Sequence, residues 1–362
     1  MPITSTLPQP SGYPWHPGRR SLSHYSGCLL GGAVGDALGW PVEFIPSMQG
    51  IREKFGPGGI LDPVANAQGV FEITDDTQMT LFTAEGLLLA EAAGVDKPDF
   101  VAEVHAAYRC WLLTQNEALP GQAAGKGRLV QVDGLHVRRA PGRSCLSALR
   151  NQAVGSRTCP INHSKGCGAV MRMAPVGLYL QAPRSQQRSG PEDQPFQLGC
   201  DLGALTHGHP SGYLPAGCLA GLIGRIVAGD DLDRALDKTL KLLAVHQGSR
   251  QTLRALEAAR SLAAKGNPGP ETVARLGAGW VGEEALAIGV YCALVAKDDF
   301  AYGVRLAVNH GGDSDSTGSI AGNLLGALLG VEAIPRAWLA HLELRDLIES
   351  ISRKLLVGTE EG

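Results

Sequence analysis

Apolar residues recur along most of this chain with the spacing of α-helices. The stretch SGCLLGGAVGDALGWPVEF, which begins at Ser26, is small and apolar and predicts a close-packed, buried helix. After a Gly/Pro-rich loop at 56–63, the stretch TDDTQMTLFTAEGLLLAEAAG predicts an amphipathic helix that Gly94 closes. The same periodicity predicts helices at 99–114, 166–180, 198–207, 213–228, 231–246, 250–265 and 283–296, two helices within 300–330, and a final pair over about 335–356.

Signals for β-strands are rare, and aromatic residues make up only 5% of the chain. We therefore predict an all-α protein, with one compact multi-helix domain over residues 23–358. Residues 1–22 are rich in Pro, Ser and Gly and lack periodicity, which predicts a flexible N-terminal arm. A long and therefore functional or mobile loop is predicted at 116–143, with the basic residues Lys126, Arg128, Arg138, Arg139 and Arg143.

The composition describes a globular protein with little net charge. Of 362 residues, 44% are hydrophobic and 19% are charged, and 32 Lys and Arg stand against 35 Asp and Glu. A net charge of −3 lacks the basic excess on which nucleic-acid affinity rests, so a nucleic-acid partner is not expected. The eight cysteines include no C-x-x-C pair, which argues against a disulfide framework or a zinc site and favours reduced thiols.

The N-terminal stretch does not predict a signal peptide. The first 22 residues lack the apolar core of a signal peptide, and no run of about 18 apolar residues predicts a membrane span. We therefore expect a soluble, cytoplasmic and monomeric protein with no membrane partner.

Two acidic clusters stand where predicted helices begin, TDDTQMT at 74–80 and NHGGDSDSTGS at 309–319. Asp, Ser and Thr at such positions are good helix caps, and negative charge suits the positive end of a helix. Carboxylate and hydroxyl oxygens are also the ligands of hard cations such as Mg²⁺ and Mn²⁺. Two clusters suffice to share two ions about 3.5–4 Å apart, an arrangement suited to hydrolysis.

Four further stretches are candidates for chemistry, and each has a structural alternative. In GDALGWPVEF, Asp36 and Glu43 are functional carboxylates or plain capping and solvated ones. The glycines of SKGCGAVMRMAPVG let a ligand approach the backbone, and a helix starting there would attract phosphate. His207, in LTHGHPSGY, is expected to hydrogen-bond or cap rather than hold zinc. Trp280, in GAGWVGEEALA, lies in a packing turn or in a pocket wall.

Taken in order, these stretches resemble the ADP-ribosylglycohydrolase family of the dinitrogenase-reductase-activating type. The resemblance covers about residues 26 to 330, and the paired clusters TDDT and GGDSDS are its specific part. It implies an all-α fold with a binuclear Mg²⁺ or Mn²⁺ centre in a cleft. It also implies hydrolysis of an N- or O-glycosidic bond at the anomeric carbon of ADP-ribose, carried by a modified protein or a small molecule.

The resemblance also implies roles for individual residues. Glu43 takes the place of a mobile catalytic glutamate, Asp75 or Asp76 acts as general base, and Asp315 belongs to the catalytic group. The implied metal ligands are Thr74, Asp75, Asp76, Asp313, Asp315 and Ser316, with Thr317 as an alternative hydroxyl. Asp36 is one implied substrate-binding residue. The others are Lys165, Gly166, Cys167, Gly168 and Ala169 beside the phosphates, His207 near the ribose or phosphate, and Gly279, Trp280 and Val281 in a distal pocket.

A hypothesis of a different class is an immunity protein that neutralises an ADP-ribosylating toxin by binding it, by reversing its modification, or both. The arm of residues 1–22 and the basic loop at 116–143 would then contact the toxin. The acceptor linkage (Arg, Ser, a nucleobase or a small molecule) and the choice between Mg²⁺ and Mn²⁺ stay open at this point.

Overall fold

The prediction of an all-α protein is confirmed by a computed structural model, which describes residues 18–93, 98–117, 127–183 and 191–358. In these ranges the β-structure is limited to three isolated bridges. The α-helices are Leu22–Gly39 (α1), Met48–Phe55 (α2), Asp75–Ala92 (α3), Phe100–Thr114 (α4), Arg143–Arg150 (α5), Ala174–Gln181 (α6), Gln194–Ala204 (α7), Pro210–Ala228 (α8), Leu232–Ala244 (α9), Arg250–Lys265 (α10), Pro270–Val273 (α11), Gly282–Ala296 (α12), Phe300–Val308 (α13), Ser314–Leu329 (α14), Arg336–Ala340 (α15) and Arg345–Val357 (α16).

Most predicted helices are present within a few residues of their expected bounds, but one begins later. The helix predicted from 166 begins at Ala174, and Cys167–Ala169 form a short 3₁₀ turn. The backbone N–H of Cys167 donates to the carbonyl of Trp280 at 3.3 Å, and Gly166 forms a bridge with Val281. Because these groups pair across the chain, they do not enter the helical hydrogen-bond series. Helices α2, α5 and α11 are not among the predicted ones.

Glycines bring α1 and α14 into backbone contact along their length. A Cβ added at Gly35 would lie 2.0 Å from the carbonyl oxygen of Gly318, and one added at Gly322 would lie 2.0 Å from that of Gly31. Such distances exclude any side chain, so glycine is required for this approach. The pairing is antiparallel, and it therefore sets the C-terminal end of α1 beside the N-terminal end of α14.

One helix of the described residues, α8, is long and apolar enough to cross a membrane. It is mostly buried within the protein, where its residues pack against α6, α7 and α12. This degree of burial is typical of a core helix. Each fully buried leucine or isoleucine side chain stabilises the fold by about 1.5–3 kcal/mol.

The described chain begins at the end of the predicted arm. Arg19 donates from Nη1 to the carbonyls of Ile226 at 3.2 Å and Asp230 at 2.9 Å, so residue 19 is fastened to the end of α8. Residues 1–17, Gly94 and 118–126 lie outside the described residues. The flexibility of the arm therefore stays a prediction. So do the toxin contacts proposed for the arm and for the tip of the basic loop.

Candidate active site

Asp36 fastens the first turn of α3 to the end of α1. Its carboxylate is fully buried and accepts from the backbone N–H of Thr74 at 2.9 and 3.1 Å. It also accepts from the N–H and the hydroxyl of Thr77, at 3.2 and 2.5 Å. Asp36 does not line the cavity described below, and its contacts position the start of α3. Its placement lends no support to the predicted substrate-binding role.

The first turns of α3 and α14 face each other. Thr74 caps α3, and its hydroxyl lies 3.4 Å from Oδ2 of Asp76 and 3.5 Å from Oδ2 of Asp315. On α14, Asp313 caps the helix by accepting from the N–H of Ser316 at 3.4 Å. The capping interpretation therefore holds at the start of both helices, and the tertiary structure brings the two acidic clusters together.

Glu43 joins the clusters from the turn that follows α1. Its side chain is 6% exposed, and its Oε2 has no hydrogen-bond partner among the described residues. Burial, and then the charges of Asp315, Asp313 and Asp75, raise the pKa of Glu43 to about 10. Oδ1 of Asp76 is likewise buried without a partner in the described chain. Unsatisfied buried carboxylate oxygens are costly, and they point to a missing ligand.

The pKa values of the other carboxylates in the two clusters are raised as well. Burial raises the pKa of Asp75, Asp76, Asp313 and Asp315, and charge–charge repulsion within the cluster contributes to the shift of the first three. Burial followed by the charge of Asp315 also raises the pKa of Asp36 to about 7. A divalent cation would relieve this repulsion, and oxygen donors suit Mg²⁺ or Mn²⁺. No three acidic, His or Cys side chains of the described residues already converge on one metal position.

These groups form one wall of a cavity of about 580 Å³, here called the acidic cavity. The sequence-predicted residues that line it are Glu43, Asp75, Asp76, Gly166, Cys167, Gly168, His207, Trp280, Asp313, Asp315 and Ser316. Eleven candidates from six separate stretches of the chain therefore meet in one place.

Four other candidates lie behind the lining. Lys165 pairs with Glu283 at 3.0 Å, so its charge is not free for a phosphate. Thr74 is fully buried and touches the clusters through its hydroxyl. Gly279, with φ of +83°, donates to Glu284, and Val281 bridges Gly166 through the backbone, so both shape the wall without lining it. The prediction that Lys165, Gly279 and Val281 contact a substrate gains no support from their placement.

The hydroxyl that faces the cavity is that of Ser316 rather than Thr317. Thr317 is fully buried, and its Oγ1 donates to backbone carbonyls, at 2.8 Å to Ala307 and 2.9 Å to Asp313. Ser316 lines the cavity, and its Oγ contacts Sδ of Met171 at 3.7 Å. The placement favours Ser316 over Thr317, and its role as a metal ligand stays a prediction.

His207 lies in the wall as a neutral side chain. It is 1% exposed, its Nδ1 is 2.8 Å from the hydroxyl of Thr206, and that hydroxyl accepts from Arg172 at 2.7 Å. Burial, with the charge of Arg172 second, lowers the pKa of His207 to about 3. Its ring thus offers a hydrogen bond without adding charge.

Sequence reasoning missed the segment that closes the other side of the cavity. Gly142 donates its N–H to Oδ2 of Asp75 at 3.1 Å, and the hydroxyl of Ser144 lies 2.6 Å from that of Ser164. These contacts hold the start of α5 against the acidic clusters. The lining residues not singled out as site residues are Phe44, Arg138, Ala140, Pro141, Gly142, Arg143, Ser144, Leu146 and Met171. Five of them, Arg138, Ala140, Pro141, Gly142 and Arg143, lie in the basic loop at 116–143, which was the available signal.

Comparisons with known proteins bear on the family of the whole chain. A family model for ADP-ribosylglycohydrolase matches residues 17–362. The ADP-ribosyl-(dinitrogen reductase) glycohydrolase of Rhodospirillum rubrum is 27% identical over 327 residues, which is 88% of this chain and 90% of that protein. The ADP-ribosylarginine hydrolase Tri1 of Serratia proteamaculans (strain 568) is 24% identical over 354 residues, 95% of this chain and 82% of that protein.

A solved structure described as an ADP-ribosylglycohydrolase-related protein complex superposes with a TM-score of 0.60. It is 25% identical and covers 94% of this chain and 99% of its own. Because the family model spans nearly the whole sequence, this chain belongs to the ADP-ribosylglycohydrolase family.

Proposed function

We propose that this protein is a hydrolase, dependent on a divalent cation, that removes ADP-ribose from modified protein side chains. The observation that carries the proposal is the meeting of two helix starts, each bearing carboxylates, on one cavity with unpartnered buried oxygens. The reaction is cleavage of the N- or O-glycosidic bond at the anomeric carbon. An N-glycosidic bond to arginine is the first linkage to test, because one of the relatives is an ADP-ribosylarginine hydrolase.

The residues proposed to hold two Mg²⁺ or Mn²⁺ ions are Thr74, Asp75, Asp76, Asp313, Asp315 and Ser316. Their oxygen donors fit hard cations, and Oδ1 of Asp76 is buried without a partner in the described chain. A bound cation of this kind supplies a water of lowered pKa and charge stabilisation for the ribose hydroxyls.

Proton transfer is assigned to the chain's own carboxylates. A water molecule attacks the anomeric carbon, the glycosidic bond breaks with its electrons going to the leaving group, and Asp75 or Asp76 accepts the proton of the water. Glu43, which lines the cavity and whose Oε2 has no partner in the described chain, would pass a proton to the departing side chain. Asp36 keeps α3 in position through its four hydrogen bonds.

The rest of the cavity suits the other parts of ADP-ribose. The small residues at 166–168 leave the backbone open to phosphate oxygens, beside the neutral ring of His207. Phe44 and Trp280, 66% and 44% exposed, are stacked with ring centroids 6.2 Å apart. Aromatic faces of this kind stack on a planar base.

The deciding experiment offers the purified protein ADP-ribosylated Arg, Ser and nucleic-acid substrates, with Mg²⁺ or Mn²⁺, and follows release of ADP-ribose. Asp315→Ala is expected to abolish release, whereas Asp237→Ala, a change in an exposed ion pair of α9 with Arg260, keeps it. Normal turnover by Asp315→Ala would show that the assignment of the acidic clusters is wrong. A cytoplasmic location and a monomeric state are proposed on the sequence grounds given above.

A further inference from the structure

A cysteine thiol lies inside the acidic cavity, where the sequence offered oxygen donors. Sγ of Cys167 contacts Oδ2 of Asp313 at 2.7 Å, although the two residues are 146 positions apart. Both line the cavity, and Cys167 is partly exposed. The short 3₁₀ turn at Cys167–Ala169 sets the thiol there, because the N–H of Cys167 is held by the carbonyl of Trp280.

An independent observation points to a ligand at the same place. Oδ1 of Asp76 is buried, its residue is 2% exposed, and it has no hydrogen-bond partner among the described residues. Asp76 lines the same cavity as Cys167 and Asp313. A thiol, the carboxylate in contact with it and a carboxylate oxygen without a partner in the described chain therefore line the same cavity.

Soft thiolate ligands select Zn²⁺ and similar ions over Mg²⁺, which prefers oxygen and water. We propose that Cys167 and Asp313 form a binding site for a thiophilic divalent cation, Zn²⁺ or its analogue Cd²⁺, which competes with the hard cation and stops turnover. On binding, the S–H proton passes to water and a sulfur–metal bond forms, with no change of oxidation state. The competition part of this inference rests on the proposed function, whereas the binding part does not.

The other cysteines do not offer the same site. Cys145 is fully buried beside Arg172, whose Nη1 lies 3.2 Å from its Sγ, so a cation there would meet a fixed positive charge. Cys159 is exposed and does not line the acidic cavity. The remaining thiols, Cys28, Cys110, Cys200, Cys218 and Cys292, are buried and lie outside the cavity lining.

Titration of the metal-free protein with Cd²⁺ tests the site directly, through the ultraviolet charge-transfer absorption of a cadmium–thiolate bond. The wild type and the control Cys159→Ser are expected to develop this absorption, and Cys167→Ser is expected to lose it. Asp313→Asn should weaken Cd²⁺ binding by about tenfold. Retention of the absorption by Cys167→Ser, at the wild-type affinity, would overturn the inference.

A second measurement needs no variant and so does not depend on folding of Cys167→Ser. In the wild type, Zn²⁺ should slow alkylation of Cys167, followed by mass spectrometry, while alkylation of Cys159 is unchanged. Equal alkylation of Cys167 with and without Zn²⁺ counts against the site.

The functional consequence is measured as inhibition by Zn²⁺ at saturating Mg²⁺. Wild type is expected to lose activity, and Cys167→Ser to be inhibited less relative to its own rate without Zn²⁺. Equal inhibition of both proteins would contradict the competition. If the wild type releases no ADP-ribose under any condition, the proposed function fails, while the Cd²⁺ titration still decides the binding site.

Discussion

The interface between α1 and α14 and the acidic cavity adjoin each other, yet they differ in what they contribute. Along the interface, Gly31 and Gly35 meet Gly322 and Gly318 backbone to backbone, and the packing admits no further atom. In the cavity, carboxylates are crowded with oxygens left unpaired. The interface therefore stabilises the fold, whereas the crowded carboxylates of the cavity lower the stability of the ligand-free protein. They leave a site that is ready to bind a ligand.

The largest effect is expected from disturbing the interface. Gly322→Ala would place a Cβ 2.0 Å from the carbonyl oxygen of Gly31, so the helices must separate, at a cost of about 3 kcal/mol or more. Urea unfolding measures the loss. Gly58→Ala, whose Cβ would meet a Leu61 side chain at 3.4 Å, is the matched control and should change little. A Gly322→Ala protein as stable as the control would show that the backbone contact is unimportant.

In the cavity, by contrast, a substitution is expected to raise the free energy of unfolding. Asp315→Asn removes a charge that raises the pKa of Asp36, Glu43 and Asp76, so it should stabilise the metal-free protein by about 1–2 kcal/mol. The same variant should lack hydrolase activity. Unfolding in the presence of a chelator measures the gain, with Asp237→Asn as an exposed control. A destabilised Asp315→Asn would mean that repulsion does not dominate the cluster.

The pH dependence of stability sharpens the same contrast. The pKa values of Asp36 and Glu43 are raised to about 7 and about 10, so these groups stabilise the fold at pH below their unfolded values. That contribution is lost as the pH rises through the folded values. From about pH 5 to 8, the metal-free protein should lose about 1 kcal/mol or more. Chemical unfolding across this range, with Asp315→Asn showing a flatter profile, provides the check.

The smallest effect is expected at the basic side of the cavity. Arg143 lines it and has no hydrogen bond or ion pair within the described residues, whereas Arg138 is paired with Glu117 at 2.9 Å. Arg143→Gln should weaken binding of ADP-ribose by about tenfold and leave adenosine binding unchanged, because the diphosphate loses a cation. Calorimetry measures both ligands, and Arg150→Gln, at the far end of α5, is the control. Equal losses for both ligands would contradict a phosphate contact.

Much of this architecture could be predicted from local patterns. Helix α10 has its predicted bounds, Arg250–Lys265, because apolar spacing and the following Gly266 are local signals. Asp75 and Asp76 were predicted at a helix start for the same reason, and they are there. Helix α5 was missed because eight residues inside a long polar stretch give too short a pattern to distinguish it from loop.

The partners of individual side chains were less predictable, since they depend on contacts across the chain. The N–H of Gly142 reaches Asp75 over 67 positions, and no sequence pattern marks that pairing. Lys165 was predicted to border phosphates, but its ammonium group forms an ion pair with Glu283. Asp36 and Glu43 lie seven positions apart in one stretch, yet the first is fully hydrogen-bonded and the second has an oxygen without a partner in the described residues.

By itself, then, the sequence determined a helical fold and two clusters of oxygen donors at helix starts, because helix periodicity and capping act over a few residues. Only the tertiary structure decided which donors share a cavity. The antiparallel approach of α1 and α14, possible where glycines leave no side chain between backbones, sets the start of α14 beside that of α3. The same long-range packing brought the thiol of Cys167 to Asp313, a contact that no local pattern specifies.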